Sequence, residues 1–261
     1  MAQQVKLSTV VIAFNEEGDI ARCLDSAQDL AEEIVVVDSF STDGTREICQ
    51  SRDVRVIQHP FKGHVEQKNF ALSQATYDHV LSLDADEALS EELKGSIREV
   101  LRSWACDGYS FNRRTNYCGR WINHCGWYPD KKLRLWDRRK GRWGGVNPHD
   151  HVIMNQDCRI GHLRGDLLHY SYRSLRQHLE QINAYSDIAA QMAFERGRRP
   201  NFVLDVCLNP LLTFLKKYLL KLGALDGYAG FVISINAAYG KFLKYAKLKE
   251  LSARHPGGGP G

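Results

Sequence analysis

The chain has 261 residues, of which 43% are hydrophobic, 10% aromatic and 25% charged. This is the composition of a globular protein with enough apolar material for a core, and it excludes a wholly disordered chain. The net charge of +4 is unevenly distributed: residues 1–112 carry 10 Lys/Arg against 20 Asp/Glu, residues 113–195 carry 14 against 8, and residues 196–261 carry 11 against 3. An acidic part followed by basic parts predicts different functions along one chain, and it excludes a uniform basic coat for nucleic acid.

Three features of the sequence predict a cytoplasmic protein. The apolar stretch 7–14 ends at Asn15 with no small-residue cleavage site behind it, which is unlike a secretory signal. Seven cysteines are scattered and odd in number, so neither a disulfide framework nor a structural zinc site is expected. No apolar run approaches the roughly 18 residues needed to cross a bilayer.

Strand and helix patterns alternate over the first hundred residues. Apolar, largely β-branched runs predict strands at residues 7–13, 34–37, 54–58 and 79–83. Helices are predicted between and after them, capped by Thr42 or Asp43 in the second case and by Ser90 in the last. This βαβα order predicts an open, mainly parallel sheet that binds ligands at the carboxyl ends of its strands.

From about residue 107 the alternation stops. Short strands are predicted at 108–114, 132–136 and 152–154, separated by long loops rich in aromatic and basic residues. A helix is predicted to begin at Ser174, because apolar residues follow it at helical spacing. The glycine-rich residues 256–261 are predicted to form a disordered tail.

Acidic residues gather where two of the predicted strands end. Asp38 ends the second strand, and Asp84, Asp86 and Glu87 end the fourth. Two carboxylates at a strand end can hold Mg²⁺ or Mn²⁺ when phosphates supply the other oxygen ligands. Acidic residues ahead of a helix also serve as caps, and Asp86 lies just before one, so that alternative stays open.

Three motifs stand in fixed order, at residues 11–17 (VIAFNEE), 36–45 (VVDSFSTDGT) and 83–86 (LDAD), with QKNFA at 67–71 between the last two. Together they resemble the nucleotide-sugar half of glycosyltransferase family 2, the inverting enzymes of GT-A fold. Within that family the chain is most similar to the WaaE-like lipopolysaccharide core glucosyltransferases, because LDGYAGF at 225–231 resembles their terminal Asp-Gly segment.

The resemblance covers most of residues 5–175 and implies an α/β fold with a GT-A-type open mixed sheet. The implied glycosyltransferase domain spans 1–195, with a nucleotide-binding βαβ half at 1–112 and an acceptor half at 113–195. A basic amphipathic helical extension is expected at 196–255.

The resemblance also implies residues that contact the nucleotide sugar: Phe14, Asn15, Glu16, Asp38, Lys68 and Asp84. The loop at 14–16 would border the uridine, and Asp38 would hydrogen-bond the uracil or the ribose. Lys68 would lie near the nucleotide and its phosphates, and Asp84 would face the ribose or the donor sugar.

A divalent cation, Mg²⁺ or Mn²⁺, is expected on the diphosphate of the donor. The resemblance assigns it to Asp86, and such an ion can neutralise the charge that develops on a departing nucleoside diphosphate. GT-A enzymes often add a C-terminal histidine that helps bind the metal or the diphosphate, and His169 matches that position. The competing interpretation of His169 is a hydrogen-bonded core histidine.

An inverting transfer needs a general base that takes the proton of the acceptor hydroxyl. GT-A enzymes usually supply it from an Asp or Glu after a glycine loop, and the segment 142–151 (RWGGVNPHDH) matches with Asp150. Relatives often have Val-His-Glu there, so the shorter Asp replaces Glu in this chain. Asp137 and Asp130 are the alternative bases, and the histidines at 149 and 151 could orient Asp150 or be plain loop residues.

The segment 131–143 is strongly basic and interleaved with tryptophan. In a sugar transferase, aromatic faces stack on sugar rings while Arg and Lys hold phosphates, which predicts a phosphorylated glycolipid acceptor. The alternative is a solvated basic face with tryptophans in the core.

Two basic amphipathic helices are predicted near the C-terminus. The first has Asn209 as its cap and Pro210 as its first residue and ends at Gly223, and the second follows Gly227. Their lysines and apolar faces suit an anionic membrane surface, although both helices could instead pack on the catalytic domain.

Together with these patterns, the resemblance implies a metal-dependent inverting transferase that moves a sugar, with glucose as the expected one, from a UDP-sugar to a membrane-held glycan, the lipopolysaccharide inner core. It would be a cytoplasmic protein bound peripherally to the inner face of the cytoplasmic membrane, with no nucleic-acid partner. The alternatives are transfer to another surface polysaccharide or glycolipid, a sugar nucleotidyltransferase, and a non-catalytic sugar-nucleotide binder. The acidic first loop at 15–18 argues against the nucleotidyltransferase, which usually has a Gly-rich basic loop there.

Overall fold

The computed structural model describes residues 5–146 and 149–254, without the side chain of His149. The predicted tail at 256–261 and two residues of the predicted base loop, Asn147 and Pro148, lie outside this description. The chain divides into two compact units, Met1–Arg114 with Asp130–Tyr170, and Thr115–Pro129 with Ser171–Gly261. The predicted functional boundaries at residues 112 and 195 stay predictions, because compactness alone does not test them.

The first unit is built around a mixed sheet. Its strands are β1 (Leu7–Ala13), β2 (Glu33–Asp38), β3 (Arg55–Gln58), β4 (His79–Asp84), β5 (Glu87–Leu89), β6 (Gly108–Tyr117), β8 (Asp130–Asp137) and β11 (Ile160–Tyr172). Their spatial order is β3-β2-β1-β4-β8-β6-β11-β5, and the short β7 (Arg120–Trp121) pairs with the end of β6 in the second unit. The first four strands are parallel, and β8 joins β4 antiparallel.

Helices cover both faces of the parallel strands: α1 (Ile20–Ala27), α2 (Thr45–Gln50), α3 (His64–Ser73) and α4 (Glu91–Arg102). Alternate residues of β1 therefore enter two different cores, Val11 with Leu24 and Ile97 on one face, and Val10 with Leu72 on the other. Continuous apolar strands are what a sheet buried on both faces requires. The predicted α/β fold with an open mixed sheet is confirmed.

Two predicted element boundaries in this unit need correction. Helix α2 begins at Thr45, so Gly44 directly precedes it and not the predicted caps Thr42 or Asp43; the Asp43 carboxylate still accepts from the Thr45 N–H at 3.0 Å. The predicted glycine loop at 142–151 is mostly a hairpin of β9 (Gly141–Val146) and β10 (His149–Met154). Glycine and charged residues interrupt the apolar alternation that would have indicated these strands.

The second unit is helical and contains α5 (Leu175–Glu195), a helix from Phe202 to Leu220, a 3₁₀ turn (Gly223–Asp226) and α7 (Gly227–Arg254). The Phe202–Leu220 helix consists of α6 (Asn209–Leu215) between two π-helical stretches. Ser174 caps α5 as predicted. A helical C-terminal region is therefore confirmed.

The predicted start of the helix at Asn209 is wrong. The Asn201 side chain accepts from the Leu204 N–H at 2.9 Å, so the helix begins at Phe202. Pro210 lies inside it, two residues after the end of a π-helical stretch, whose altered hydrogen-bond register accommodates a residue without an N–H.

Among the described residues, no single helix has both the length and the apolar composition needed to span a bilayer. One bent pair, Phe202–Leu220 with Gly223–Arg254 at an angle of 71°, meets both requirements when the two helices are taken together.

Candidate functional site

The carboxyl ends of the parallel strands bring the predicted acidic residues to one edge of the sheet. Residues Ala13 and Asp38 are partners across β1 and β2, and Ile12 and Asp84 are partners across β1 and β4. The two carboxylates thus lie on the strands that flank the end of β1, as the sequence predicted.

The loops after β1 and β2 are joined by hydrogen bonds. The Asn15 side chain accepts from the Thr42 N–H at 2.8 Å, and the Ser41 hydroxyl accepts from the Asn15 N–H at 2.9 Å. Buried Asp38 accepts in turn from the Ser41 N–H at 3.2 Å. Asn15 adopts a left-handed backbone, which asparagine tolerates better than most residues. These contacts hold the predicted uridine loop against the residue predicted to bind the uracil.

Two phenylalanines remain exposed on these same loops. Phe14 follows β1 and Phe40 follows β2, and both are more than half exposed. Exposed aromatic faces beside hydrogen-bonding groups suit a planar ring such as a nucleobase. Phe14 is a predicted site residue, whereas Phe40 is an addition from the structure. The predicted Glu16 lies in the same loop, and its N–H donates to the Thr45 hydroxyl at 2.7 Å.

Lys68, on α3, is the centre of the site. Its Nζ lies 2.8 Å from Asp84 Oδ1 and 2.8 Å from Asp150 Oδ2, and its side chain is only 4% exposed. A buried ammonium requires such anionic partners, because the charge is costly to remove from water. The lysine joins a residue on β4 to one on β10 that is 66 positions further along the chain.

Arg134 adds a second buried cation beside Asp84. Its Nη2 donates to Asp84 Oδ2 and to Glu87 Oε1, each at 3.0 Å, and its side chain is also only 4% exposed. Arg113 lies 3.4 Å from the same Glu87 oxygen. Burial raises the pKa of Asp84, but Lys68 and Arg134 outweigh it and hold that pKa well below its ordinary range. Asp84 is therefore an anion throughout the physiological pH range.

The sequence placed Arg134 in the basic segment expected to hold phosphates and Glu87 in the acidic group after the fourth strand, but it predicted neither as a member of this buried network. The available signal is an arginine at position 134 between apolar neighbours on a strand, since a charged residue there needs a buried partner. Glu87 follows the predicted acidic pair directly but belongs to β5, a three-residue strand too short to predict.

The three residues of the QKN motif, 67–69, each contact a different segment of the site. Gln67 donates to the Ser39 hydroxyl at 3.0 Å, and Lys68 binds the two carboxylates. Asn69 accepts from the Trp143 N–H at 3.0 Å and donates to the Trp143 carbonyl at 2.9 Å. One turn of helix thereby fixes the loop after β2, the end of β4 and the β9–β10 hairpin relative to one another.

The buried indole of Trp143 faces both cations. Its ring centroid lies 4.5 Å from Lys68 Nζ and 4.9 Å from the Arg134 guanidinium carbon. Its Nε1 has no hydrogen-bond partner among the described residues. Trp136 is fully buried in the neighbouring core, so neither tryptophan is an exposed sugar platform, and the predicted basic–aromatic surface is wrong for these two residues.

Asp86 and His169 meet as a separate pair. His169 Nε2, on β11, lies 3.1 Å from Asp86 Oδ2, while His169 Nδ1 is buried with no hydrogen-bond partner among the described residues. The histidine is therefore not the fully hydrogen-bonded core residue of the competing interpretation.

This pair fits a divalent cation that takes its other ligands from a substrate. The two donor atoms converge, and both side chains are partly exposed. No group of three or more metal-binding side chains occurs in the part of the chain that the structure describes. Mg²⁺ is commonly held by one or two protein ligands together with phosphate oxygens.

The alternative bases have other partners. Buried Asp137 is bound by Arg139 at 2.7 Å, and Asp130 by Arg113 at 2.9 Å and by Lys132 at 3.1 Å. His151 lies next to Asp150 on β10, and the side chain of His149 is outside the described residues. Of the predicted bases, only Asp150 shares a cation with the donor-side carboxylate Asp84.

The sequence that forms this site also matches a known protein family. The family model "Glycosyl transferase family 2" matches residues 8–157, from the second residue of β1 to just beyond β10. The chain belongs to glycosyltransferase family 2. Its GT-A-type sheet and its enzyme class, a glycosyltransferase, follow from that membership.

Two curated glycosyltransferases match almost the whole chain. An uncharacterized glycosyltransferase of Rickettsia typhi is 34% identical over 95% of this chain and 88% of its own length. The lipopolysaccharide core biosynthesis glycosyltransferase LpsC of Rhizobium meliloti is 31% identical over 97% of this chain and 95% of its own. Among solved structures, TarS 1–349 of S. aureus in complex with UDP covers 97% of this chain and 92% of its own, at 18% identity and a TM-score of 0.49.

Proposed function

We propose that this glycosyltransferase moves glucose from UDP-glucose, with inversion, to a phosphorylated, membrane-held glycan, the lipopolysaccharide inner core. The observation that carries the proposal is the Lys68 bridge, which holds the predicted base Asp150 beside the predicted donor-sugar residue Asp84. Similarity to LpsC supports the class of acceptor. The proposed location is the cytoplasmic face of the cytoplasmic membrane, where such an acceptor would be reached.

The chemistry follows from the positions of the side chains. The acceptor oxygen attacks the anomeric carbon while the bond from that carbon to the diphosphate oxygen breaks on the opposite side. Asp150 accepts the proton of the attacking hydroxyl, and Lys68 fixes the carboxylate that does so. Asp84 faces the donor sugar, and the 14–16 loop with Asp38 holds the uridine.

A divalent ion, Mg²⁺ or Mn²⁺, held by Asp86 and His169 would supply positive charge to the departing diphosphate. Lys68 and Arg134 are cations of this chain near the same strand end, but three carboxylates neutralise them, so the net positive charge on the diphosphate would come from the ion.

A panel of radiolabelled UDP-sugars, incubated with glycolipids from a strain that lacks this protein, tests the proposal. We expect label to enter the lipid from UDP-glucose, and Asp86→Ala to abolish transfer and weaken metal-dependent UDP binding. Asp29→Ala, at an exposed carboxylate of the same unit, is the matched control and should leave both unchanged.

Three results would contradict the proposal. Full activity of Asp86→Ala would refute the metal assignment. Transfer from a different UDP-sugar, and not from UDP-glucose, would refute the assignment of UDP-glucose as the donor. Release of pyrophosphate from a nucleoside triphosphate and a sugar phosphate would instead identify a nucleotidyltransferase.

A further inference from the structure

The two C-terminal helices meet at a bend whose surface is apolar. We define the apolar elbow as residues 219–228, between the end of the Phe202–Leu220 helix and the start of α7. Leu220 and Tyr228 are each 78% exposed there and Leu225 is 65% exposed. Large apolar side chains gathered at that exposure mark a surface that contacts another apolar phase.

Exposed apolar stripes lead to the elbow along both helices. On the first helix the stripe repeats at three- and four-residue spacing: Leu204, Leu208, Leu211, Leu215 and Leu219. On α7 it is formed by Tyr228, Phe231, Ile235, Tyr239 and Phe242. Such spacing places the members of each stripe on one side of their helix, so the exposed surface is continuous along each arm.

The elbow is a built structure and not a frayed end. The Asp226 carboxylate is buried and accepts from the N–H groups of Asn123 and His124 at 3.2 and 2.8 Å. A Cβ on Gly230 would lie 1.8 Å from the Gly223 carbonyl oxygen, so glycine is needed for α7 to approach the turn this closely. The apolar side chains are therefore held outward by specific backbone contacts.

The exposed charges at the elbow are of one sign. Lys221 is exposed within the elbow, Lys216 is exposed just before it on the first helix, and the exposed Arg120 guanidinium lies beside Gly227. The acidic residue of the elbow, Asp226, is buried. A positive rim around an apolar tip complements a lipid bilayer with anionic headgroups.

We propose that the apolar elbow inserts into the acyl boundary of an anionic bilayer as a wedge that does not cross it. The bent pair has the length and apolar composition for membrane contact, and its 71° bend suits re-entry on the same side. A second copy of the chain is a poorer occupant, because two elbows would bring their cations together without exposed acidic partners. The proposal does not depend on the sugar chemistry and goes beyond the activity proposed above.

Vesicle flotation of the full-length chain tests the wedge. Wild-type protein should float with phosphatidylglycerol-containing vesicles, and Leu220→Glu/Leu225→Glu should lower its partition coefficient roughly 100-fold, because two leucines lose their apolar environment. Phe61→Glu/Ile160→Glu changes two exposed apolar residues of the other unit and should float within about twofold of wild type.

Charge and depth are measured separately. Lys216→Gln/Lys221→Gln should weaken binding about 30-fold at low salt and much less at 1 M salt, since each cation near the surface contributes about 1 kcal/mol that salt screens. Tyr228→Trp should be quenched by brominated acyl chains more than the wild-type tryptophans are, because residue 228 is at the tip.

The proposal fails if Leu220→Glu/Leu225→Glu floats like wild type, or if Tyr228→Trp shows no excess quenching. The proposal also fails if the wild-type protein does not bind vesicles but forms a dimer in solution, and if Leu220→Glu/Leu225→Glu converts that dimer to a monomer. This result would identify a second copy of the chain as the occupant of the elbow. None of these assays contains a sugar donor, so their outcome is independent of the transfer assay.

Discussion

The two units bury polar groups in opposite ways. In the first unit the buried groups at the strand ends are ionic, with Lys68 and Arg134 distributed over three carboxylates. In the second unit the central buried group is His178, whose Nδ1 lies 3.0 Å from the Tyr117 hydroxyl and 2.9 Å from Asn236 Nδ2. The first unit thus clusters opposite charges in its interior, whereas the second holds a neutral network around His178 and binds its buried carboxylate, Asp226, with backbone N–H groups.

The difference separates a site from a scaffold. Buried ion pairs give little net stability relative to apolar packing, so a cluster of them at a strand end indicates chemistry rather than folding. Neutral hydrogen bonds that are fully paired fix one arrangement of helices without supplying charge to a ligand. Three perturbations test this distinction, from the largest expected effect to the smallest.

Asp150→Asn should have the largest effect. The amide keeps the shape of the side chain and an oxygen for Lys68 but is not a base, so transfer should fall by about 10³-fold while UDP binding remains. The measurements are kcat for transfer and the Kd of UDP by calorimetry. Asp130→Asn, at an alternative base, is the control and should retain activity within a few-fold. If Asp150→Asn kept its turnover and Asp130→Asn lost activity, the general base would be Asp130 instead of Asp150.

Arg134→Met should have the next largest effect, on folding. Removing the guanidinium leaves Asp84 and Glu87 buried with less compensation, and we expect the free energy of unfolding to fall by about 3 kcal/mol. Urea denaturation measures it. Arg139→Met removes an exposed arginine that also binds a carboxylate, and should cost much less, because solvent screens its ion pair. If both variants lost the same free energy of unfolding, the buried network would contribute no more to stability than an exposed ion pair.

Much of the first unit could be predicted from the sequence because its signals are local. Continuous apolar strands, the Ser90 cap and the position of Asp38 and Asp84 at strand ends each depend on neighbouring residues. The Lys68–Asp150 contact could not be derived in this way, because it joins residues far apart through the β9–β10 hairpin, whose glycines concealed its strands.

The second unit was harder to predict, for a related reason. The helical spacing of Leu175, Leu179 and Met192 correctly predicted that α5 is a helix. These residues are nevertheless exposed, and the helix buries His178 and Ala190 among other residues. Helical spacing shows that residues share a side, but it does not show whether that side meets protein or another phase.

His178→Gln should have the smallest effect, on the pH dependence of the free energy of unfolding, and it tests whether the network around His178 is neutral. Burial lowers the pKa of His178 to about 4, so the ring is neutral in the folded state, with Nδ1 facing two donors. An unfolded histidine binds a proton near pH 6.5, and protonation in the fold would place a hydrogen on Nδ1 against those donors. The histidine therefore destabilises the fold as pH falls below 6.5, and this loss levels off below pH 4.

Between pH 7 and pH 5 this linkage should cost wild type about 2 kcal/mol, a loss that His178→Gln lacks. Urea midpoints of both proteins at the two pH values measure the difference, and NMR titration of the His178 ring should show no protonation above pH 5. If both proteins lose the same stability, His178 is charged or solvated in the fold. The second unit would then hold a titrating group in its core, and the contrast with the ionic first unit would disappear.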